Sequence, residues 1–247
     1  MLDDASTDDS VEVIEKFLAG CDIPYRLVAN AQNSGSVFRQ WMRGVEMARG
    51  DYVWIAEADD LADPDFLAEL LPAFEREEVV MSYCQSRQMD GAGRVLSEHY
   101  LDYVSDIDRS RWTKPYVVDG RREIAEALYL KNTIPNVSGV LFRREALRNA
   151  MAKHSEEIMS LRNAGDWVTY LRLLENGSIA FSPRSLNSHR RHQSSVTIGN
   201  FDLRHLQEIR QVQADTIRSH DLGPAALERA SIYSHELSER FGIPIQE

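Results

Sequence analysis

Three carboxylates, Glu57, Asp59 and Asp60, fall within four residues at the end of the run Gly50-Asp51-Tyr52-Val53-Trp54-Ile55-Ala56. Unpaired, such charges repel one another, and a hard divalent cation with oxygen ligands, Mg2+ or Mn2+, is their natural partner. The plainer alternative makes Asp59 and Asp60 solvated loop residues ahead of a helix. Acid recurs at Asp3 and Asp4 and again at Asp166, and a basic segment, Arg190-Arg191-His192, lies downstream. Acid able to hold a metal, together with cations able to meet phosphate, points to a diphosphate–metal substrate.

These residues need elements to position them. Tyr52 to Ala56 is a short apolar run, as in a strand buried on both faces of a parallel sheet, and the carboxyl ends of such strands are where open α/β sheets bind ligands. Asp63 as N-cap and Pro64 at the first helical position then predict a helix to about Glu77. Before the acidic run, helices are predicted from Ser10 and over Val37 to Arg49, with a short strand at Tyr25 to Ala29 and a loop from Asn30 to Ser36. After it come a strand at Val79 to Gln88, a turn at Asp90 to Gly93 and a returning strand at Arg94 to Tyr100. A helix at Arg121 to Lys131, strands at Val140 to Phe142 and Ile179 to Phe181, and a helix from Trp167 to Leu174 follow. Helices broken at Gly223-Pro224 close the chain. The alternation predicts an α/β fold with a mainly parallel sheet.

At 247 residues the chain can hold one large domain, or one domain with an appendage. Lys plus Arg total 28 against 39 Asp plus Glu, a net charge of −11 that argues against a nucleic-acid surface. Cys21 and Cys84 make neither a disulfide framework nor a zinc site, which suits a reducing compartment. With no apolar run near the ~18–20 residues a bilayer requires, and no signal peptide, the expectation is a soluble, cytoplasmic protein.

Leu2-Asp3-Asp4-Ala5-Ser6-Thr7-Asp8 resembles the acidic turn after the second strand of family-2 glycosyltransferases, which have the GT-A fold. Asn33-Ser34-Gly35, Ala48-Arg49-Gly50-Asp51-Tyr52, Trp54 to Asp60, Asn136-Val137-Ser138-Gly139, Gly165-Asp166-Trp167 and Arg190 to Thr197 follow in the family's order. Each piece is weak singly; the ordered set is specific. The resemblance implies a GT-A-like domain over residues 1–198, a mainly parallel sheet flanked by helices, with a C-terminal helical extension over 199–247.

The resemblance also implies roles. Asp3 and Asp4 would contact the base and ribose of a nucleotide-diphospho-sugar, with Asn33 in the same nucleotide-sugar site. Asp60 would be the direct Mg2+ or Mn2+ ligand of a DXD-type motif, with Asp59 orienting ribose or sugar beside it. Asp166 matches the position of the catalytic base, and His192, Arg190 and Arg191 match a segment that closes on the metal or diphosphate. The chemistry suits these residue types, since a departing nucleoside diphosphate needs its charge neutralised and the acceptor hydroxyl needs a base. Against these stand ordinary roles: Asp166 as the N-cap of the next helix, worth ~0.5–2 kcal/mol, and His192 as a surface histidine.

The chain departs from the family pattern in three places. Only Leu2 stands where the end of the second strand belongs, so the first strand and helix are missing. Glu57 replaces an aspartate, and Phe38-Arg39-Gln40-Trp41 replaces an arginine–asparagine pair. The missing strand implies either a shortened gene product, or cover by another chain or by the C-terminal helices. The function implied is inverting, metal-dependent sugar transfer to a saccharide or lipid-linked acceptor in bacterial surface-polysaccharide synthesis. Peripheral membrane association and a homo-oligomer over the sheet edge are left open as partner classes. The alternative is a catalytically impaired nucleotide-sugar-binding or scaffold module. A phosphotransferase with Asp3 or Asp4 as nucleophile is weakened because Ala5 and Ser6 stand where its second aspartate belongs.

Overall fold

The computed structural model describes residues 1–191 and 201–244, which fall into two compact units, Met1–Arg49 and Gly50–Glu247. The expected boundary at residues 198 and 199 lies outside the described residues.

In the first unit, β1 (Leu2–Asp3) pairs in parallel with β2 (Val28–Ala29), and α1 (Ser10–Leu18) and α2 (Val37–Met47) complete it. The apolar face predicted for α2 is buried through Phe38, Trp41 and Val45, with Phe38 and Trp41 edge to face at 5.3 Å. Ala5, at φ 61°, turns the chain after β1 in the left-handed region that few side chains adopt.

The second unit runs β3 (Tyr52–Trp54), β4 (Leu61–Ala62), α3 (Phe66–Leu70), β5 (Val79–Met89), β6 (Val95–Ser97), α4 (Leu101–Val104), β7 (Tyr116–Asp119), α5 (Gly120–Glu123), β8 (Val140–Arg143), α6 (Arg144–Lys153), α7 (Ser155–Ser160), α8 (Gly165–Leu174), β9 (Ser178–Arg190), α9 (Leu203–Ser219) and α10 (Gly223–Phe241). The sheet order is β3-β8-β5-β9-β4, with β6 added on β5 and β7 on β9. Phe66, Leu70, Phe74, Val79, Cys84, Leu141, Ala180 and Leu186 form one buried cluster where α3 meets the sheet.

The α/β class holds, and the strand directions refine it. Within this sheet only β5–β9 is parallel, while β3–β8, β5–β8, β4–β9, β5–β6 and β7–β9 are antiparallel, so the pairing is mixed rather than mainly parallel. The apolar run expected to be buried on both faces is half-buried at Tyr52 and Trp54. The helix expected from Pro64 starts at Phe66, because Leu61 and Ala62 first pair with Ser188 and Asn187 of β9. The three-residue strand expected at Ile179 is thirteen residues long and absorbs Arg190.

α9 and α10 pack on Tyr129 and Leu130 through Ile217, Ala226 and Ala230. Gln213 bridges them, donating to Leu130 O at 2.6 Å and accepting from Ser234 Oγ at 3.0 Å. Among the described residues no helix is long and apolar enough to cross a membrane.

Candidate active site

In the first unit the acidic turn is organised around Asp4. Its Oδ1 accepts from Asn30 Nδ2 at 2.6 Å, Ser34 N at 2.9 Å and Gln40 Nε2 at 2.7 Å, and its Oδ2 accepts from Ser34 Oγ at 2.7 Å. Burial acts to raise this carboxyl, but the hydrogen bonds from Ser34 and Asn30 outweigh it and hold the group below its ordinary value. Asn33 donates to Asp4 O at 2.8 Å and accepts from Gly35 N at 2.8 Å, so its side chain shapes the loop that cradles Asp4. Asp3 is buried, and its carboxylate accepts from Ser6 N at 3.1 Å and Ser6 Oγ at 2.5 Å. Gln40, in the segment that departs from the family pattern, is one of the donors to Asp4.

In the second unit the chain leaves β3 into the acidic loop, which β9 fastens from below. Asp63 N donates to Leu186 O at 2.8 Å, β4 pairs with Asn187 and Ser188, and Arg190 N donates to Asp60 Oδ1 at 2.8 Å. Asn136 Nδ2 donates to Asp60 Oδ2 at 2.5 Å. Ser138 fixes the other end, its Oγ accepting from Glu57 N at 3.0 Å and its carbonyl from Trp54 Nε1 at 2.8 Å. So held, Glu57, Asp59 and Asp60 each offer a carboxylate oxygen within 4.8 Å of the others. Burial, then the charges of Asp60, Asp59 and Asp166, pushes Glu57 up to about 7.

That last contribution ties the cluster to Asp166. α8 begins at Gly165 after Ala164, so Asp166 lies in its first turn and is not the N-cap. Its Oδ1 accepts from Trp167 N at 2.7 Å and its Oδ2 from Asn132 Nδ2 at 2.9 Å. Burial pushes the carboxyl up to about 6, against those two hydrogen bonds. Asp166 opens on a cavity of about 720 Å³ that His189 and Arg191 also line.

The two arginines part company. Arg190 clamps the loop, with Nε donating to Asp59 O at 2.7 Å and Nη1 to Asp90 O and Gly91 O at 3.1 Å each. Arg191 lines the cavity, its guanidinium 5.9 Å from the Tyr100 ring centre and its Nη1 donating to Gln88 Oε1 at 2.6 Å. His192 lies outside the described residues. The structure thus groups Asp59, Asp60, Arg190, Arg191 and Asp166 in the second unit, and Asp3, Asp4 and Asn33 in the first. Sequence reasoning missed Asn132, the asparagine role of Asn136, and Glu208, whose carboxylate accepts from Arg162 N, Asn163 N and Ala164 N at 2.8, 2.7 and 3.1 Å. The only signal for Asn136 was its place in the ordered motifs, and Glu208 carried none.

The family profile of Glycosyl transferase family 2 matches residues 1–150, and the chain belongs to that family. No match to a curated protein sequence was found. Among solved structures, S. aureus TarS 1-349 in complex with UDP-GlcNAc superposes with a TM-score of 0.62 at 16% identity, covering 99% of this chain and 66% of that one. The same protein in complex with UDP gives 0.58 at 16%, covering 98% and 61%. The mannosyltransferase PcManGT from Pyrobaculum calidifontis, in complex with GDP-Man and Mn2+, gives 0.55 at 16%, covering 99% and 66%. The likeness establishes a GT-A-like fold, and this chain spans less than two thirds of each of those chains.

Proposed function

We propose that the chain transfers a sugar from a nucleotide-diphospho-sugar to an acceptor hydroxyl, with a divalent cation and with inversion at the anomeric carbon. The observation that carries this reading is the acidic trio within 4.8 Å, in the same electrostatic field as Asp166, whose carboxyl is raised to about 6. The donor set fits a hard cation: it is all oxygen, and Asn136 and the Arg190 amide hold Asp60 in place from outside it. Asp60 would ligate Mg2+ or Mn2+, with Asp59 beside it. A cation held there would supply charge neutralisation for the departing diphosphate.

The remaining work falls to the chain. Asp166 takes the acceptor hydroxyl's proton as that oxygen attacks the anomeric carbon opposite the leaving diphosphate. A single displacement of this kind inverts the centre. Asn132 keeps the carboxylate oriented, and its raised value suits a base near neutral pH. Family resemblance gives Asp3 and Asp4 the base and ribose, puts Asn33 in the same nucleotide-sugar site, and gives Arg190 and Arg191 the diphosphate. The nucleotides named with the similar structures, UDP, UDP-GlcNAc and GDP-Man with Mn2+, support a nucleotide-sugar donor. A saccharide or lipid-linked acceptor, a cytoplasmic setting and a role in surface polysaccharide belong to the same proposal.

The test is hydrolysis and transfer of UDP-GlcNAc and GDP-Man with Mn2+ by wild type, Asp60→Ala and Asp166→Asn. Both variants should lose turnover while still binding nucleotide at high concentration. Equal turnover in all three sinks the assignment. Binding with no turnover by wild type favours the binding-module alternative.

A further inference from the structure

On the reading that Asp166 is the base, we infer that Glu208 is a positioning residue for it. By accepting the backbone N–H groups that lead into α8, the Glu208 carboxylate keeps the Asp166 carboxylate on Asn132 and at the cavity. The C-terminal helices thereby gain a share in the proposed transfer.

α8 has no cap of its own. Ala164 stands at its N-cap, a position where serine, threonine, aspartate and asparagine are preferred because their side-chain oxygens accept from the first turn. Alanine has no such oxygen. Between Ile158 and Leu174 the only acid is Asp166. An acid in the first turn of a helix can reach back to the N–H groups before it, as in a capping box. Asp166 instead directs Oδ1 to Trp167 N at 2.7 Å and Oδ2 to Asn132 Nδ2 at 2.9 Å.

The upstream donors are met from α9. Glu208 Oε1 accepts from Arg162 N at 2.8 Å, and Oε2 from Asn163 N and Ala164 N at 2.7 and 3.1 Å. Three successive N–H groups converging on one carboxylate form a nest, the backbone arrangement that holds anions. Arg204 fixes the carboxylate from the other side, its Nε donating to Glu208 Oε1 at 3.1 Å. Asp202 anchors the start of α9 by accepting from His205 N at 2.8 Å. Glu208 is buried, so bulk water does not stand in for it. Without it the nest needs another acceptor, and Asp166 is the nearest carboxylate along the chain. Turned back onto Asn163 N or Ala164 N, Asp166 would leave Asn132, and a misplacement of about 1 Å can cost about 10²-fold in rate.

The experiment is a double-mutant cycle on Glu208 and Asp166, read by hydrolysis and transfer of UDP-GlcNAc and GDP-Man with Mn2+. Glu208→Ala should lower kcat about 10–100-fold with donor KM changed less than about twofold. Glu208→Gln keeps an acceptor oxygen and should recover most of that loss. In the Asp166→Asn background, Glu208→Ala should lower kcat no further. Ile217→Ala, which removes packing farther along α9, should lower the melting temperature and leave kcat unchanged. A second measurement needs no turnover. In 1H–15N spectra the Asn132 side-chain amide should move in Glu208→Ala, move less in Glu208→Gln, and stay in place in Ile217→Ala. The Gln variant carries the test if the Ala variant does not fold. An Asn132 amide unmoved in both Glu208 variants, a kcat loss undiminished in the Asp166→Asn background, or an equal loss in Ile217→Ala overturns the inference. Full turnover by Asp166→Asn overturns the base reading instead, and the Asn132 amide then still reports whether Glu208 holds that carboxylate in place.

Discussion

The Glu208 carboxylate and the main-chain N–H of Ala164 are joined at 3.1 Å across 44 residues of chain. The same carboxylate takes the N–H groups of Arg162 and Asn163, so a side chain of α9 satisfies the backbone leading into the helix that carries Asp166. Glu208→Ala leaves those donors without a partner and should cost about 2–4 kcal/mol, since bonds to a charged group are worth more than neutral ones and buried orphan donors are penalised. Denaturant midpoints at constant slope measure it, and Glu208→Gln should recover part of the loss.

As the proposed base, Asp166 must be ionised to accept a proton. Its carboxyl is raised to about 6, so kcat/KM should climb with pH to a plateau above neutrality, with a midpoint at or below about 6 once a cation's charge favours the ionised form. Asp166→Asn should abolish that acid limb and lower turnover by about 10²–10⁴-fold. An unchanged pH profile in the variant would remove Asp166 from the proton path.

Glu57 and Asp166 both hold their protons more tightly in the fold than in the unfolded chain, at about 7 against 4.5 and about 6 against 3.8. Protonation therefore stabilises the metal-free fold fully below about pH 4, and this share disappears as pH rises through 6 and 7, a loss on the order of 1–3 kcal/mol. The melting temperature of chelator-treated protein should fall between pH 5 and 8, and Mn2+ at pH 7.5 should restore it. A metal-free melting temperature that rises over that interval contradicts the cluster as described.

Asn136 and Arg190 hold the acidic loop without being proposed as ligands. Asn136→Ala and Arg190→Ala should each weaken Mn2+ binding by about 10–100-fold, as loss of the groups that orient metal ligands does elsewhere. Calorimetric titration of Mn2+ in the presence of UDP measures it. Arg190→Lys should recover little, because one ammonium cannot reach Asp59 O, Asp90 O and Gly91 O together.

The acidic cluster was legible in the sequence because its residue types and local neighbours announce it, whereas Asp166 stood out only through the family resemblance. β9 was not: Ser182-Pro183 reads as a strand end, yet the pairing with β5 skips from Ser182 to Ser185 and continues. A bulge absorbs Pro183 and Arg184, and the long partner strand overrides the local signal. The helix after the acidic run started late for a similar reason, since β4 could form only with β9 present. Glu208, Asn132 and Asn136 act over 34 to 76 residues of separation, and no local pattern records such partners.

Because β9 meets the acidic loop in succession at Asp63, Leu61 and Asp60, that loop takes its shape from the sheet beneath it and not from its own few residues. The acidic end is therefore cast in the scaffold, and a substitution in β9 would reshape it without touching any of its carboxylates.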